Sequence, residues 1–154
     1  MAIGAQPLRQ DAGAQEVRPL RMATLSMLAD SDYLPLARTT AMHVGALLAF
    51  PIARVNDLRL AVNEACVCFL DTAARREPEG FGMWPAPESM EIVYDRYPDE
   101  LHVTVRAAAG ENLRAVNELG WAMLEALVGD VQVRVGDGVG AVTLILPLPT
   151  GEGG

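Results

Sequence analysis

The sequence predicts an α/β fold, a two-layer sandwich with an antiparallel-rich mixed sheet and three helices on one face. Three observations carry this. Alternating apolar residues mark two β-hairpins, near 90–106 and 131–146. Three stretches repeat apolar residues at helical spacing. The predicted order is β-α-α-β-β-α-β-β, and two hairpins plus amphipathic helices bury their apolar faces best as two layers.

Residues 1–16 are polar and Gly/Ala-rich without a period, and are expected to form a disordered tail, as are 150–154. Residues 17–149 then form one domain. A strand is expected within 17–28, after Pro19. Ser31 or Asp32 suits a helix N-cap, and Pro35 fits a first helical turn. Leu36, Thr40, Val44 and Leu47 recur at helical spacing until Pro51 stops the helix.

A second helix is expected from Asn56, with Val55 and Leu60 as a hydrophobic staple around that cap. Leu58, Val62, Ala65 and Phe69 form its inner stripe. Leu60, Glu64, Cys68 and Asp71 line another face. The Gly/Pro-rich run 77–89 reads as an irregular loop, where Met83 and Trp84 suit either docking or folding back on the core. Met90, Ile92 and Tyr94 alternate into a strand, Tyr97–Glu100 turn, and Leu101, Val103 and Val105 return. A third helix is expected over 111–128, with Gly129 as its C-cap. The last hairpin pairs Val131–Val135 with Ala141–Leu146 across the GDGVG turn at 136–140.

Composition narrows the function. The 154 residues carry a formal charge of −8, and no basic patch stands out to offset it, so nucleic acid is not an expected partner. All 12 basic residues are arginine. Without lysine there is no Walker-A phosphate loop and no Schiff-base chemistry. No apolar run reaches membrane-spanning length and no secretory leader is evident, so a cytoplasmic protein without membrane contact is expected. Cys66 and Cys68 point about 200° apart on a helix, which suits neither a disulfide nor a shared metal site. With His43 and His102 distant, no metal site is expected.

Three segments stand in a meaningful order. LRLAVNEACVCFLDTA (58–73) resembles the N-box helix of the GHKL (Bergerat-fold) ATPases, in the version found in bacterial anti-sigma-factor serine kinases. Leu58, Ala61, Val62, Glu64 and Ala65 match its pattern. VTVRAAAG (103–110) stands where the family's strand leads into the D-x-G box that holds adenine. LGWAMLEALVGDVQV (119–133), followed by TLILPL, resembles the second glycine box and closing hairpin. Upstream, YLPLAR (33–38) matches the start of the family's first helix. The resemblance covers about residues 20–148.

It implies a histidine-kinase-ATPase-like fold and an anti-sigma role, with a sigma factor held in complex until a STAS-domain anti-anti-sigma protein competes. It also implies a homodimer and a partner-binding role for Arg38. Residue by residue, however, the nucleotide site departs from the pattern. Glu64 keeps the place of the catalytic base. Cys68 stands where an asparagine coordinates Mg²⁺, and a thiol suits that hard ion poorly. Ala107 replaces the adenine-reading aspartate, and its partner glycine falls on Ala109 or slips to Gly110. The second glycine box is reduced to Gly120, with Glu118 where a glycine belongs. About a dozen residues separate Ala107 from Gly120, leaving no room for the family's phosphate lid.

Each lost partner removes about 1–3 kcal/mol. Together with a carboxylate near the phosphates, these losses predict an affinity roughly 10³-fold lower or worse. Trp121, where the family has leucine, is expected to fill part of the vacated adenine space. The expected function is therefore regulation by protein binding, with no cofactor. An active serine kinase using Mg-ATP and Glu64 is the first alternative. A small-ligand sensor re-using the vestigial pocket of Cys68, Ala107, Gly110, Gly120 and Trp121 is the second.

Overall fold

The computed structural model describes residues 17–73, 89–108 and 118–150; the side chains of 71–73, 118 and 119 also lie outside the description. So do residues 1–16 and 151–154 of the two predicted tails, the run 77–88 with Met83 and Trp84, Gly110, and the 111–117 part of the third helix. Strand β1 (Leu20–Leu28) leads through a short 3-10 turn (Ser31–Tyr33) into α1 (Leu34–Leu47) and α2 (Ile52–Ala73). β2 (Ser89–Arg96) and β3 (Glu100–Ala108) form the first hairpin. α3 (Glu118–Val128) precedes the second, β4 (Asp130–Gly136) and β5 (Val139–Pro147). The sheet order is β1-β2-β3-β5-β4, and every described pairing is antiparallel.

One face of the sheet makes the core. Met90, Ile92, Tyr94, Leu101, Val103, Val105, Val142, Leu144 and Leu146 pack with Leu58, Val62, Ala65 and Phe69 of α2. Each buried Val, Leu, Ile, Phe or Met side chain among them contributes about 1.5–3 kcal/mol of burial. The other face is largely polar, with the buried Val93 and Ile145 set among charged and hydroxyl side chains. There Arg21 pairs with Asp95 at 2.9 Å, Arg106 with Glu91 at 2.7 Å, and the Thr104 and Thr143 hydroxyls meet at 3.1 Å.

Two helix starts differ from expectation. Neither Ser31 nor Asp32 caps α1, whose N-cap is Tyr33 without a side-chain bond; Asp30 instead caps the preceding 3-10 turn, its Oδ1 accepting from the Asp32 amide at 2.8 Å. A carboxylate two residues ahead of the amide closes the short turn that precedes the helix proper. α2 begins at Ile52, so Asn56 is interior and the predicted staple does not form. Pro51 ends α1 and also starts α2, because its carbonyl accepts from the amides of Arg54 (2.9 Å) and Val55 (3.0 Å). A proline lacks the amide that a helix start leaves unused.

The α1–α2 corner is a Schellman turn. Phe50 donates its amide to Gly45 and Ala49 donates to Ala46, both at 3.0 Å, with Ala49 left-handed at φ 60°. A Cβ on Gly45 would lie 3.2 Å from Val55 Cγ2, so its absence lets the two helices approach closely. At the far hairpin, Asp137 (φ 54°) and Gly138 (φ 77°) form a two-residue type I′ turn, tighter than the five-residue GDGVG run. Gly129 (φ 99°) closes α3 as expected, its amide donating to Glu125 at 2.8 Å.

Candidate functional site

Register places the motif residues at one end of the sandwich. Leu28 pairs with Ser89, Met90 with Ala107, and Ala108 with Val139, so all these lie at the same sheet end. α3 finishes beside Asp130, at the opposite end, so its start at Gly120 and Trp121 faces the Ala107 end. α2 runs antiparallel to α3. Arg54, in the first turn of α2, donates Nη1 to the Leu127 carbonyl at 3.1 Å and to Asp57 at 3.2 Å. From Arg54, ten residues of helix carry the chain about 15 Å to Glu64, and four more carry it to Cys68. Arg38, near the start of α1, reaches the same region.

The side chains there have definite partners. Arg38 is half-buried and donates Nη1 to Asn63 Oδ1 at 2.8 Å, tying α1 to α2 one residue before Glu64. Glu64 is half-buried. Cys68 donates its thiol to the Glu64 carbonyl at 3.3 Å, so the sulfur turns back along its own helix. Ala107 is buried at the end of β3, and Trp121 is half-buried and packed against the core. Gly120 is half-buried. Gly110 and the Glu118 side chain lie outside the described residues. No cluster of His, Cys, Asp and Glu able to hold a metal occurs among the described residues.

The donor set can be tested against Mg-ATP. Glu64 offers one hard oxygen ligand on this helix face. Cys68, one turn further, offers sulfur, and Ala107 offers no acceptor for an adenine amino group. Of these three side chains, only that of Glu64 carries an oxygen.

Two buried groups lie near the site without belonging to it. Cys66 is fully buried, and desolvation, with a smaller contribution from Cys68, pushes its thiol up to about 12. Tyr94, also fully buried, has a hydroxyl without a hydrogen-bond partner among the described residues. Burial, and then the neighbouring Cys66, raises it above the ordinary phenol range.

Sequence reasoning missed Asn63, Arg54 and the orphaned Tyr94 hydroxyl. For Asn63 no local signal exists, since Arg38 lies 25 positions away. Arg54 did leave one: a cation in a first helical turn opposes its own helix dipole, which points to a partner elsewhere.

Comparison with known proteins places this geometry. Residues 27–146 match the histidine kinase-like ATPase domain family. The anti-sigma-F factor RsbW of Mycobacterium tuberculosis, in strains CDC 1551 / Oshkosh and H37Rv, is 30% identical over 116 residues, covering 75% of this chain. The chain spans 62% of the length of those relatives. The crystal structure of the RsbU and RsbW domains of Rv1364c, also from M. tuberculosis, superposes with a TM-score of 0.60 at 16% identity. It covers 82% of this chain and 33% of that one, and it supports the fold. With most of its length matched and the same sheet-and-helix architecture, the chain belongs to the histidine kinase-like ATPase domain family.

Proposed function

We propose that this protein is an anti-sigma-type regulator that works by holding a protein partner, through a site that has lost productive nucleotide binding. The observation that carries the reading is the pair Cys68 and Ala107, at the positions where the resemblance calls for a metal ligand and an adenine reader. A thiol turned onto its own helix and a methyl group replace two oxygen-bearing side chains. Trp121, packed on the core at the same end, supplies bulk where the adenine would lie. Similarity to the anti-sigma-F factors supports the regulatory role.

In this reading the partners are a sigma factor and a competing STAS-domain protein, and the complex forms in the cytoplasm, away from membrane and nucleic acid. No described helix is long and apolar enough to cross a membrane. Arg38 anchors the partner beside α1, and the protein acts as a homodimer, as the family resemblance implies. The kinase reading rests on Glu64, which stands in the base position. Purified protein, the host's sigma factors and its STAS proteins decide between them. Capture of a sigma factor without nucleotide, and its release by a STAS protein, are the expected results. Transfer of phosphate from Mg-ATP to a STAS serine would overturn the binding-only function.

A further inference from the structure

On the sheet face away from the helices, register lays the side chains out in rows. One row runs Glu91, Arg106, Ala141 and Arg134 across β2, β3, β5 and β4. The row beside it places Thr104, Thr143 and Gln132 on the last three of these strands. Their neighbours Val105, Val142 and Val131 belong to the core, so alternation turns both rows outward.

Arginines on this face differ in how well the chain matches them. Arg21 makes two bonds to the Asp95 carboxylate, at 2.9 and 3.1 Å. Arg106 donates Nη2 to Glu91 Oε1 at 2.7 Å, on the side away from β5. Arg134 has no carboxylate partner among the described residues; its neighbour across the ladder is Ala141, and along β4 the same face carries Gln132 and Gly136. Arg106 and Arg134 are both exposed, with only the Ala141 methyl between them. Two strand spacings set their backbones about 10 Å apart. Folding gains nothing from this pair, since like charges repel and a carboxylate at position 141 would attract both. The alanine instead leaves a notch between two guanidinium forks. The Thr104 and Thr143 hydroxyls meet at 3.1 Å at its edge; one proton serves that contact, and the other is left for a further acceptor.

We propose that this notch binds a phosphate group, with Arg106 and Arg134 closing on it from either side of Ala141. Guanidinium forks match oxyanions bidentately. Two cations suit the charge of about −1.5 to −2 that a phosphate monoester carries near neutral pH. A carboxylate brings a single charge and fewer acceptor oxygens for the same donors. Glu91 holds Arg106 from the β2 side, which orients the guanidinium and leaves further N–H donors for the anion. Gln132 adds an amide two residues from Arg134 along β4. The same chemistry recognises a small phosphate and a phosphorylated side chain. The site lies on the opposite side of the sheet from the helices, so it is separate from Arg38 and independent of the anti-sigma reading.

Backbone and arginine side-chain NMR of the full chain, titrated with inorganic phosphate and, separately, with sodium chloride of equal ionic strength, tests the assignment. Saturable shifts at millimolar phosphate or below are expected at Arg106, Arg134, Ala141 and Thr143, and none with chloride. Arg106→Gln and Arg134→Gln are each expected to weaken binding roughly tenfold, the loss of a charge-assisted bond. Ala141→Glu sets a carboxylate between the two cations and is expected to abolish binding, whereas Arg21→Gln is expected to change nothing. A phosphoserine peptide that binds more tightly than inorganic phosphate assigns the site to a phosphorylated protein; one that binds no more tightly assigns it to a small phosphate. Shifts that fail to saturate, follow chloride equally or centre elsewhere overturn the proposal. So does binding that survives both Ala141→Glu and Arg134→Gln in variants whose spectra stay folded.

Discussion

Arg38 Nη1 donates to Asn63 Oδ1 across 2.8 Å, so the arginine proposed as partner anchor is also a strut between α1 and α2. The two roles separate by mutation. Asn63→Ala removes the bond but keeps the cation, and is expected to cost about 1 kcal/mol of stability while partner capture persists. Arg38→Glu is expected to lose similar stability and also capture, because reversed charge repels at encounter. Thermal melts and a sigma-dependent reporter give the two readouts. Equal capture by both variants would exclude Arg38 as an anchor.

The nucleotide site is expected to bind Mg-ATP weakly or not at all, with Glu64→Ala leaving regulation intact. Isothermal calorimetry checks the first point and the reporter the second. Low-micromolar binding by the natural protein would contradict the lost-site reading. Cys68→Asn combined with Ala107→Asp restores an oxygen ligand and an adenine acceptor. That pair is expected to strengthen binding over the parent, provided Trp121 leaves room.

Tyr94→Phe removes a hydroxyl that is buried without a described partner. Its stability is expected to stay level or rise by up to about 1 kcal/mol, the reverse of an ordinary buried tyrosine. Urea unfolding measures it. A loss beyond about 1 kcal/mol would reveal a bonded hydroxyl.

Cys66 predicts alkaline sensitivity. Below its ordinary value of 9.0 the thiol is protonated in both folded and unfolded chains and contributes no pH dependence. Above that, the unfolded chain ionises while the folded one resists until about 12, so rising pH favours unfolding. Tyr94 is raised as well and acts in the same direction. Unfolding free energy measured from about pH 8 to about pH 11 is expected to fall, by at most ~1.4 kcal/mol per pH unit per group. Cys66→Ala is expected to flatten the slope.

Removing the cap on α3 tests how its orientation is held. Arg54→Ala frees the Leu127 carbonyl and is expected to cost about 1 kcal/mol or somewhat more, since the lost bond is charge-assisted. A melt unchanged by this variant would mean that core packing alone holds the helix.

The layers, strand alternation and Gly129 cap were legible because each reflects a local period or a single backbone requirement. Leu58, Val62, Ala65 and Phe69 had to share a helix face, and they do. The start of α2 was misplaced because a good cap residue, Asn56, stands inside a helix that Pro51 had already begun. At the site, the identities of Cys68 and Ala107 could be read against a pattern. The Arg38–Asn63 bond and the burial of Tyr94 could not, because both depend on how α1, α2 and the sheet meet in space.

The Schellman corner at Phe50, the Arg54 cap and the Tyr97–Glu100 turn, whose amide and carbonyl meet at 2.7 Å, all sit at the end of the sandwich away from Cys68 and Ala107. Much of the chain's fastening is therefore spatially separate from its signature residues. An architecture divided in this way lets the residues at one end change while the scaffold persists, so new binding surfaces can be selected there at little cost to folding.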